Sequence, residues 1–331
     1  MDGRWEGLDD LGDSFGPSSV TIGNFDGVHR GHRKILRTVA ELARDDGLTS
    51  VALTFDPHPL AVVAPAKAPK SLTSIQQRAA LIQEQGIDKV VVMRFTPEIA
   101  SLSPRGFVER VLVRSLRAAR VTVGANFRFG QGQSGTTNTL RVLGSEFGFT
   151  VGDAGIVTVG GVPVSSTRVR ELVGCGEMGR ARRLLGRVFC LNGTIRKGAG
   201  IGSKQTVPTL NLVPDSEVLP ADGVYVTLTR IAGEGRWRDS ITNVGMRPTF
   251  AGRDRTIETY VLDDLGAAAP TALELGFVRK LRDERPFPSA ESLRDQIGID
   301  IEAARRFFRR LRSLPGRSPA NSGTDAEHTR S

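Results

Sequence analysis

The first half of this chain alternates β-branched runs with helical stretches, and this alternation restricts the fold more than any other feature. The runs cover residues 19–22, 50–55, 89–93 and 120–124, and helical patterns at 33–46, 74–85 and 104–116 separate them. Strand and helix in repetition predict an α/β fold with a parallel sheet covered by helices. Ligands in such folds bind at the carboxyl ends of the strands. We therefore expect the loops that begin at Gly23, Asp56 and Gly124 to share one site.

The pattern changes from about residue 186, where short extended runs follow one another without helices between them. These runs lie at 189–195, 224–229, 239–245 and 257–262, and they predict a small antiparallel β-barrel. The barrel is followed by apolar residues at helical spacing, which predict a C-terminal helix packed on a core: Ile297, Ile301, Ala304, Phe308 and Leu311. A chain of 331 residues is longer than one core usually organises. We predict domains at 1–185 and 186–314 and a disordered tail at 315–331, which has almost no apolar residues.

The chain is basic, with a net charge of +9 and a pI near 10.2. A basic nucleic-acid-binding protein is therefore one alternative. However, aromatic residues make up only 6% of the chain, and the arginines of the C-terminal helix fit its solvated face: Arg305, Arg306, Arg309, Arg310 and Arg312.

The sequence lacks the patterns typical of a membrane span, a signal peptide and a zinc ribbon. No apolar run approaches the ~20 residues of a membrane span, and the first residues lack the features of a signal peptide, so a cytoplasmic protein is expected. The two cysteines, Cys175 and Cys190, have neither the spacing of a zinc ribbon nor the number that a disulfide framework needs.

Residues 21–32 run from a strand end through glycines into two imidazoles, His29 and His32, at the predicted start of a helix. A helix N-terminus offers backbone N–H groups and a positive dipole to an anion, and Gly31 lets a phosphate approach the backbone. Transfer of a nucleotidyl group to a phosphate acceptor needs orientation and hydrogen-bond donors rather than a protein nucleophile. The segment therefore predicts a site for a nucleotide α-phosphate. A capped, half-buried histidine pair is the alternative, and two histidines alone do not make a zinc site.

A second candidate site lies in the predicted barrel. Thr209 and Asn211 offer oxygen ligands two residues apart on one strand face, and Glu258 offers a carboxylate. Kinase chemistry uses a metal-bridged triphosphate and a carboxylate that accepts the proton of the substrate hydroxyl. Without further context, an ordinary strand-edge turn is the preferred interpretation of residues 208–211.

Residues 23–32, Gly-Asn-Phe-Asp-Gly-Val-His-Arg-Gly-His, resemble the H-x-G-H motif of nucleotidylyltransferases, in the form typical of bacterial bifunctional riboflavin kinase/FMN adenylyltransferases. Residues 54–59, 123–130 and 165–170 match later segments of that family in the same order. The resemblance implies a Rossmann-like nucleotidyltransferase domain with His29 and His32 as catalytic residues. It implies ATP contacts at Gly23, Phe25, Asp26, Gly31, Ser165, Ser166, Thr167 and Arg170, and flavin contacts at Asp56, His58, Asn126 and Phe127.

The flavokinase half of the same family has a glycine-rich loop, a Pro-Thr-Ala-Asn segment and a catalytic glutamate. Residues 193–204 resemble that loop, which implies phosphate contacts at Gly198 and Lys204, magnesium ligands at Thr209 and Asn211, and a catalytic base at Glu258. The family resemblance implies two reactions that consume ATP with Mg²⁺, first riboflavin to FMN and then FMN to FAD.

The chain departs from the family pattern around the magnesium ligands. The family usually has Gly, an aromatic residue and Ala where this chain has Thr206, Val207 and Leu210. An FMN adenylyltransferase whose barrel binds flavin without kinase activity is therefore a second alternative.

Overall fold

A computed structural model describes residues 6–7, 11, 15–196, 208–249, 252–263 and 270–313. The chain divides into two compact units, Met1–Ser166 and Thr167–Ser331, called here the first and second units. The described strands of the first unit are β1 (Glu6–Gly7), β2 (Ser18–Ile22), β3 (Thr49–Asp56), β4 (Lys89–Arg94), β5 (Ala118–Val123), β6 (Arg128–Phe129), β7 (Gly135–Thr136), β8 (Thr150–Asp153), β9 (Thr158–Val159) and β10 (Val162–Pro163).

The α-helices of the first unit are α1 (Arg30–Asp45), α2 (Pro59–Val63), α3 (Ile75–Gln83), α4 (Pro97–Ala100), α5 (Pro104–Phe107) and α6 (Thr137–Phe147). The helix predicted at 104–116 is present, but α5 passes into a π-helix at Val108–Ser115. Helix α1 begins three residues before the predicted start at residue 33. His29 caps it, and the chain enters the helix directly after the loop that follows β2.

The main sheet of the first unit has the strand order β1-β4-β3-β2-β5-β8 among the described residues, and every neighbouring pair is parallel. This confirms the predicted α/β fold. The chain proceeds from β2 outward through β3 to β4 and then returns to the other side of β2 with β5. The carboxyl ends of β2 and β5 therefore meet where the strand order reverses, which is the place where open α/β sheets bind ligands.

Helices cover both faces of this sheet, because successive side chains of a strand point to opposite faces. Val51 packs in a buried cluster with Leu112 of the π-helix. Its neighbour Ala52 packs in a different cluster, with Leu36 of α1 and Ile82 of α3. This placement brings α1 and α3 to the same face of the sheet.

The second unit contains α7 (Ser166–Gly174), which starts at the division, α8 (Met178–Leu185), β11 (Phe189–Arg196), β12 (Leu210–Pro214), β13 (Gly223–Ile231), β14 (Arg238–Thr249), β15 (Gly252–Val261), β16 (Ala272–Arg282) and α9 (Ala290–Arg312). The strands close into a barrel in the order β11-β12-β15-β14-β13-β16, with antiparallel neighbours. This confirms the predicted barrel with a C-terminal helix. Within the described part of the chain, no helix is long and apolar enough to span a membrane.

The barrel wall has an apolar face under α9 and a hydroxyl-bearing opposite face. Val226 and Ile241 pack against Phe308 of α9. The residues that alternate with them carry buried hydroxyls, and Thr227 Oγ1 lies 2.8 Å from both Ser240 Oγ and Thr242 Oγ1. These hydroxyls are hydrogen-bonded to one another, so the interior of the barrel tolerates them.

Helices α7 and α8 belong to the second unit together with the barrel. The N–H of Ala221, just before β13, donates to the carbonyl of Val173 at 3.3 Å. Gly176, between α7 and α8, packs closely against Tyr225 of β13, since a Cβ at this position would lie 3.0 Å from the Tyr225 hydroxyl oxygen. The domain boundary that we predict at 185/186 lies beyond these two helices and stays a prediction.

Candidate active sites

The loop after β2 has an unusual backbone. Phe25 and Val28 have φ values of +46° and +36°, and Gly27 between them has +77°. Positive φ is uncommon for bulky or β-branched residues and costs roughly 1–3 kcal/mol at each position. Gly27 is also confined by packing, since a Cβ there would lie 2.8 Å from Leu72 Cδ1. The surrounding contacts must therefore hold this turn in place.

His29 and His32 lie side by side at the N-terminus of α1. His29 is the N-cap residue, and its Nδ1 accepts a hydrogen bond from the backbone N–H of His32 at 3.3 Å. The two rings stack with centroids 3.6 Å apart, and the Phe25 ring meets His32 edge-on at 5.3 Å. A Cβ at Gly31 would lie 3.1 Å from Cε1 of His29, so a side chain at this position would press on the imidazole. The structure thus brings Phe25, His29, Gly31 and His32 into direct contact.

The protonation of both rings follows from these contacts. Burial lowers the pKa of His32 well below its usual value, and the neighbouring His29 and the Arg78 guanidinium lower it further. His32 is therefore neutral near pH 7. Because His29 Nδ1 accepts a hydrogen bond, the ring proton of His29 lies on Nε2. Each ring can therefore present an N–H donor to a phosphate oxygen.

Asp26 lies within the same turn, but its carboxylate points into the protein. It is 2% exposed. It accepts hydrogen bonds from the N–H groups of Leu72 and Thr73 at 3.0 and 3.1 Å and from the Thr73 hydroxyl at 3.0 Å. These bonds use the carboxylate to fix two chain segments together, so the geometry gives Asp26 a structural role. The phosphate contact that the sequence predicts for it stays a prediction.

Other predicted residues of the first unit lie on the neighbouring loops. The side-chain amide of Asn24 lies 3.1 Å from Nε2 of His58, which joins the loop after β2 to the loop after β3. Asp56, at the end of β3, and Asn126, in the turn after β5, are exposed. The Phe127 ring stacks on Phe129 with centroids 5.5 Å apart. The backbone N–H of Gly23 donates to the carbonyl of Leu53 at 3.1 Å, and the ATP contact that the sequence predicts for Gly23 stays a prediction.

The predicted ATP segment at 165–170 lies at the start of α7. The hydroxyl of Ser166, the last residue of the first unit, donates to the backbone carbonyl of Asp26 in the strained turn at 2.8 Å. Ser165 is exposed next to it. Thr167 and Arg170 follow on α7 within the second unit, and their predicted ATP contacts stay predictions.

The candidate kinase residues meet across the barrel strands. Asn211 on β12 is directly opposite Glu258 on β15, and Glu258 is in turn opposite Asn243 on β14. Arg196 on β11 is opposite Asn211. Directly opposed residues on antiparallel strands share a face, with Cβ atoms about 4.5–5.5 Å apart. The structure therefore aligns an arginine, an asparagine, a glutamate and a second asparagine in one row, called here the polar row.

The exposed Thr209 precedes β12 by one residue, two positions before Asn211. Leu210, one of the departures from the family pattern, is opposite Thr259, whose hydroxyl lies 3.0 Å from that of Thr242 in the barrel interior. The replacement of Ala by Leu thus falls on the face opposite to the polar row. Gly198 and Lys204, like the departures Thr206 and Val207, lie outside the described residues.

Sequence reasoning missed three residues at these sites. Arg78 is buried on α3. The sequence feature that could have identified it is a charged residue at helical spacing among the apolar residues Ile75, Ala79 and Ile82. Arg196 joins the polar row through strand register alone. The carboxylate of Glu284 lies against Gly245, two residues after Asn243 on the same strand face, and leaves no room there for a Cβ. Nothing in the sequence pattern places Glu284 beside that row.

Comparison with known proteins decides the family. Residues 13–168 match the family model for FAD synthetase, and residues 185–308 match the model for riboflavin kinase. The bifunctional riboflavin kinase/FMN adenylyltransferase of Escherichia coli K12 is 35% identical over 289 residues, which is 87% of this chain and 92% of the relative. The chain belongs to the bifunctional riboflavin kinase/FMN adenylyltransferase family. The family member from Pseudomonas fluorescens is 37% identical over 287 residues, covering 86% of this chain and 91% of its own length.

Among solved structures, the chain is similar to one described as a macrolide-efflux protein from Streptococcus pneumoniae. The TM-score is 0.78 at 27% sequence identity, and the match covers 90% of this chain and 96% of the other. This likeness supports the fold of an α/β unit followed by a barrel. The family has two activities and the chain has two candidate sites. The question that follows is whether each unit catalyses one of the two reactions.

Proposed function

We propose that the chain catalyses two consecutive ATP-dependent reactions. The barrel transfers the γ-phosphoryl group of ATP to riboflavin, giving FMN and ADP. The α/β unit then transfers the adenylyl group of a second ATP to FMN, giving FAD and diphosphate. Both family models and the relatives support this assignment, since each model covers the corresponding part of the chain.

The observation that carries the adenylyl transfer is the stacked pair His29 and His32 at the N-terminus of α1. In the proposed reaction a phosphate oxygen of FMN attacks the α-phosphorus of ATP, and diphosphate leaves. The acceptor oxygen is already anionic, so no general base is needed. The two imidazole N–H donors and the N-terminal dipole of α1 stabilise the negative charge that grows on the α-phosphate and the leaving group.

The kinase reaction is proposed to use the polar row. Glu258 takes the proton of the terminal ribityl hydroxyl of riboflavin as its oxygen attacks the γ-phosphorus, and ADP leaves. Asn211, directly opposite Glu258, holds the triphosphate side of the site. The exposed Arg196 ends the row and offers positive charge to the phosphates.

Magnesium is part of this proposal. The donor set of Thr209 and Asn211 fits the ion, because Mg²⁺ prefers oxygen ligands and usually takes one or two from the protein and the rest from phosphates and water. In this proposal, phosphate oxygens of ATP and water complete the coordination of the ion. When bound, Mg²⁺ would neutralise charge on the triphosphate. Magnesium is also proposed for the adenylyl reaction, as a counterion of ATP.

The remaining contacts are assigned by their positions in the family motifs. The flavin is proposed to contact Asp56, His58, Asn126 and Phe127, and ATP to contact Ser165, Ser166, Thr167 and Arg170. His58 and Ser166 have hydrogen bonds that tie their loops to the turn after β2, which supports a shared site. A cytoplasmic location is proposed as well, because both reactions consume ATP.

A double dissociation tests the assignment of one reaction to each unit. The combined change of His29 and His32 to Ala should reduce FAD synthesis from supplied FMN by at least ~100-fold while riboflavin is still phosphorylated. Glu258→Gln should reduce FMN synthesis by ~100- to 10,000-fold and leave FAD synthesis from FMN intact. Purified protein is incubated with flavin, ATP and Mg²⁺, and the flavins are separated by chromatography.

Each variant is expected to retain one of the two activities, and this retained activity shows that the variant is folded. Normal riboflavin phosphorylation by Glu258→Gln contradicts the role of this carboxylate. A wild-type protein that makes FAD only from supplied FMN identifies the alternative of a barrel without kinase activity. A protein that makes neither product but binds oligonucleotides with strong salt dependence identifies the nucleic-acid-binding alternative.

A further inference from the structure

Asp26 is the centre of a buried anchor behind the histidine pair. Both carboxylate oxygens accept a hydrogen bond from the Leu72 N–H at 3.0 Å, and Oδ1 also accepts from the N–H and the hydroxyl of Thr73. The residues on either side of Asp26 in the turn, Phe25 and Gly27, both have positive φ. Because the carboxylate is bonded within the protein on both oxygens, it fixes the turn in this conformation.

Arg78 adds a second connection to the same anchor. Its Nη2 lies 3.8 Å from Oδ1 of Asp26, and its Nη1 donates to the carbonyl of Phe55, near the end of β3, at 3.2 Å. The residue is 6% exposed and lies in the first turn of α3. One guanidinium therefore connects the turn after β2, the end of β3 and helix α3.

The anchor adjoins a residue that contacts the catalytic rings, since Phe25, next to Asp26 in the chain, meets the His32 ring edge-on. Among the described residues, His29, the N-cap residue of the same helix, and Arg78 on α3 act on the charge of the His32 ring. Arg78 is thus the one fixed charge in this set, and Asp26 is the carboxylate placed to balance it.

We propose that Asp26 and Arg78 are positioning residues of the adenylyl-transfer site, which hold the strained turn that carries the histidine pair. Neither side chain needs to touch ATP or FMN in this role. The proposal rests on the function proposed for the first unit, and the phosphate contact that the sequence predicts for Asp26 stays a separate prediction.

Histidine titration followed by nuclear magnetic resonance tests the charge relation directly. The chain has four histidines, His29, His32, His58 and His328, so each ring signal can be assigned by substitution. Arg78→Gln removes a positive charge, so the titration midpoint of His32 should rise. Asp26→Asn preserves the shape but removes the balancing negative charge, so the midpoint should fall. Arg78→Lys should keep it near the wild-type value. A purely structural pair would loosen the site in both variants and move the midpoint in the same direction.

Activity measurements complete the test. Arg78→Gln and Asp26→Asn should each lower FAD synthesis by at least about tenfold, because a small displacement of the donors is costly. Riboflavin phosphorylation should be unchanged. Arg105→Gln is the matched control, since Arg105 pairs with Glu146 among the helices on the opposite face of the sheet and should change neither property.

The proposal is overturned if the His32 titration midpoint is the same in wild type and Arg78→Gln, or if it moves in the same direction in Arg78→Gln and Asp26→Asn. FAD synthesis at the wild-type rate in these variants overturns it as well. If Asp26→Asn does not fold, Arg78→Gln and Arg78→Lys still decide the matter. A wild-type protein that makes no FAD refutes the proposed function instead, and the titration still reports on Asp26 and Arg78.

Discussion

Gly31→Ala should separate catalysis from stability in the α/β unit. The added Cβ would lie 3.1 Å from Cε1 and 3.2 Å from Nδ1 of His29, closer than the ~3.5–4.0 Å at which carbon atoms pack. The His29 ring must therefore move by a few tenths of an ångström. It has little room to move, because it is 6% exposed and stacked on His32 at 3.6 Å. Both imidazoles are displaced together.

The expected magnitudes differ for stability and rate. Ala is favoured over Gly in a helix by about 1 kcal/mol, whereas weakening the His29 cap costs about 1 kcal/mol, so the free energy of unfolding should change little. Misplacement of catalytic donors by up to about 1 Å costs ~100-fold in rate. We therefore expect FAD synthesis to fall by ~100-fold, equivalent to about 2.7 kcal/mol, at nearly constant melting temperature.

The assay compares FAD formation from FMN, FMN formation from riboflavin and thermal unfolding. Gly298→Ala is the matched control, because Gly298 is an exposed position of α9 with open space around its Cβ. That variant should be more stable by up to about 1 kcal/mol and should keep both activities. Wild-type FAD synthesis by Gly31→Ala would refute the reasoning, since the His29 ring would then have moved without consequence.

Three further predictions follow from the structure and the sequence. The pKa of His32 is lower in the folded protein than in the unfolded chain, so at acidic pH the unfolded chain binds the extra proton. The free energy of unfolding should therefore decrease below about pH 6.5, with a slope of at most ~1.4 kcal/mol per pH unit. Denaturant titration should show a weaker pH dependence of this free energy in His32→Gln than in the wild-type protein. Fragments 167–314 and 186–314 should both phosphorylate riboflavin, but the longer fragment should unfold at a higher temperature. The reason is that Val173 and Gly176 pack α7 and the turn after it against the barrel, and equal melting temperatures would contradict this. Deletion of residues 315–331, which lie outside the described residues, should leave both activities intact because the segment has almost no apolar side chains, and a tenfold loss of either activity would show that it packs on a site.

Much of the fold could be predicted from the sequence because each element has a local signal. The run at 89–93 contains three valines, and the loop that begins at Gly23 ends at His29, the N-cap residue of α1. The apolar spacing of α9 identifies its buried face, where Ala304 and Phe308 are indeed buried. The π-helix after α5 could not be predicted, since the same apolar spacing is compatible with a regular helix.

The sequence by itself determined the candidate chemistry, because imidazoles beside Gly31 and a glutamate after a Thr-x-Asn segment are properties of residue type and order. The tertiary structure alone decided which groups share a surface. Register across β11, β12, β15 and β14 brings Arg196, Asn211, Glu258 and Asn243 into one row, although the chain separates the first and third by 62 positions. Likewise, Asp26 turns inward to Thr73 and Arg78, because a buried carboxylate must find donors wherever the packed chain supplies them. Local sequence cannot encode either result, since both depend on contacts between distant segments.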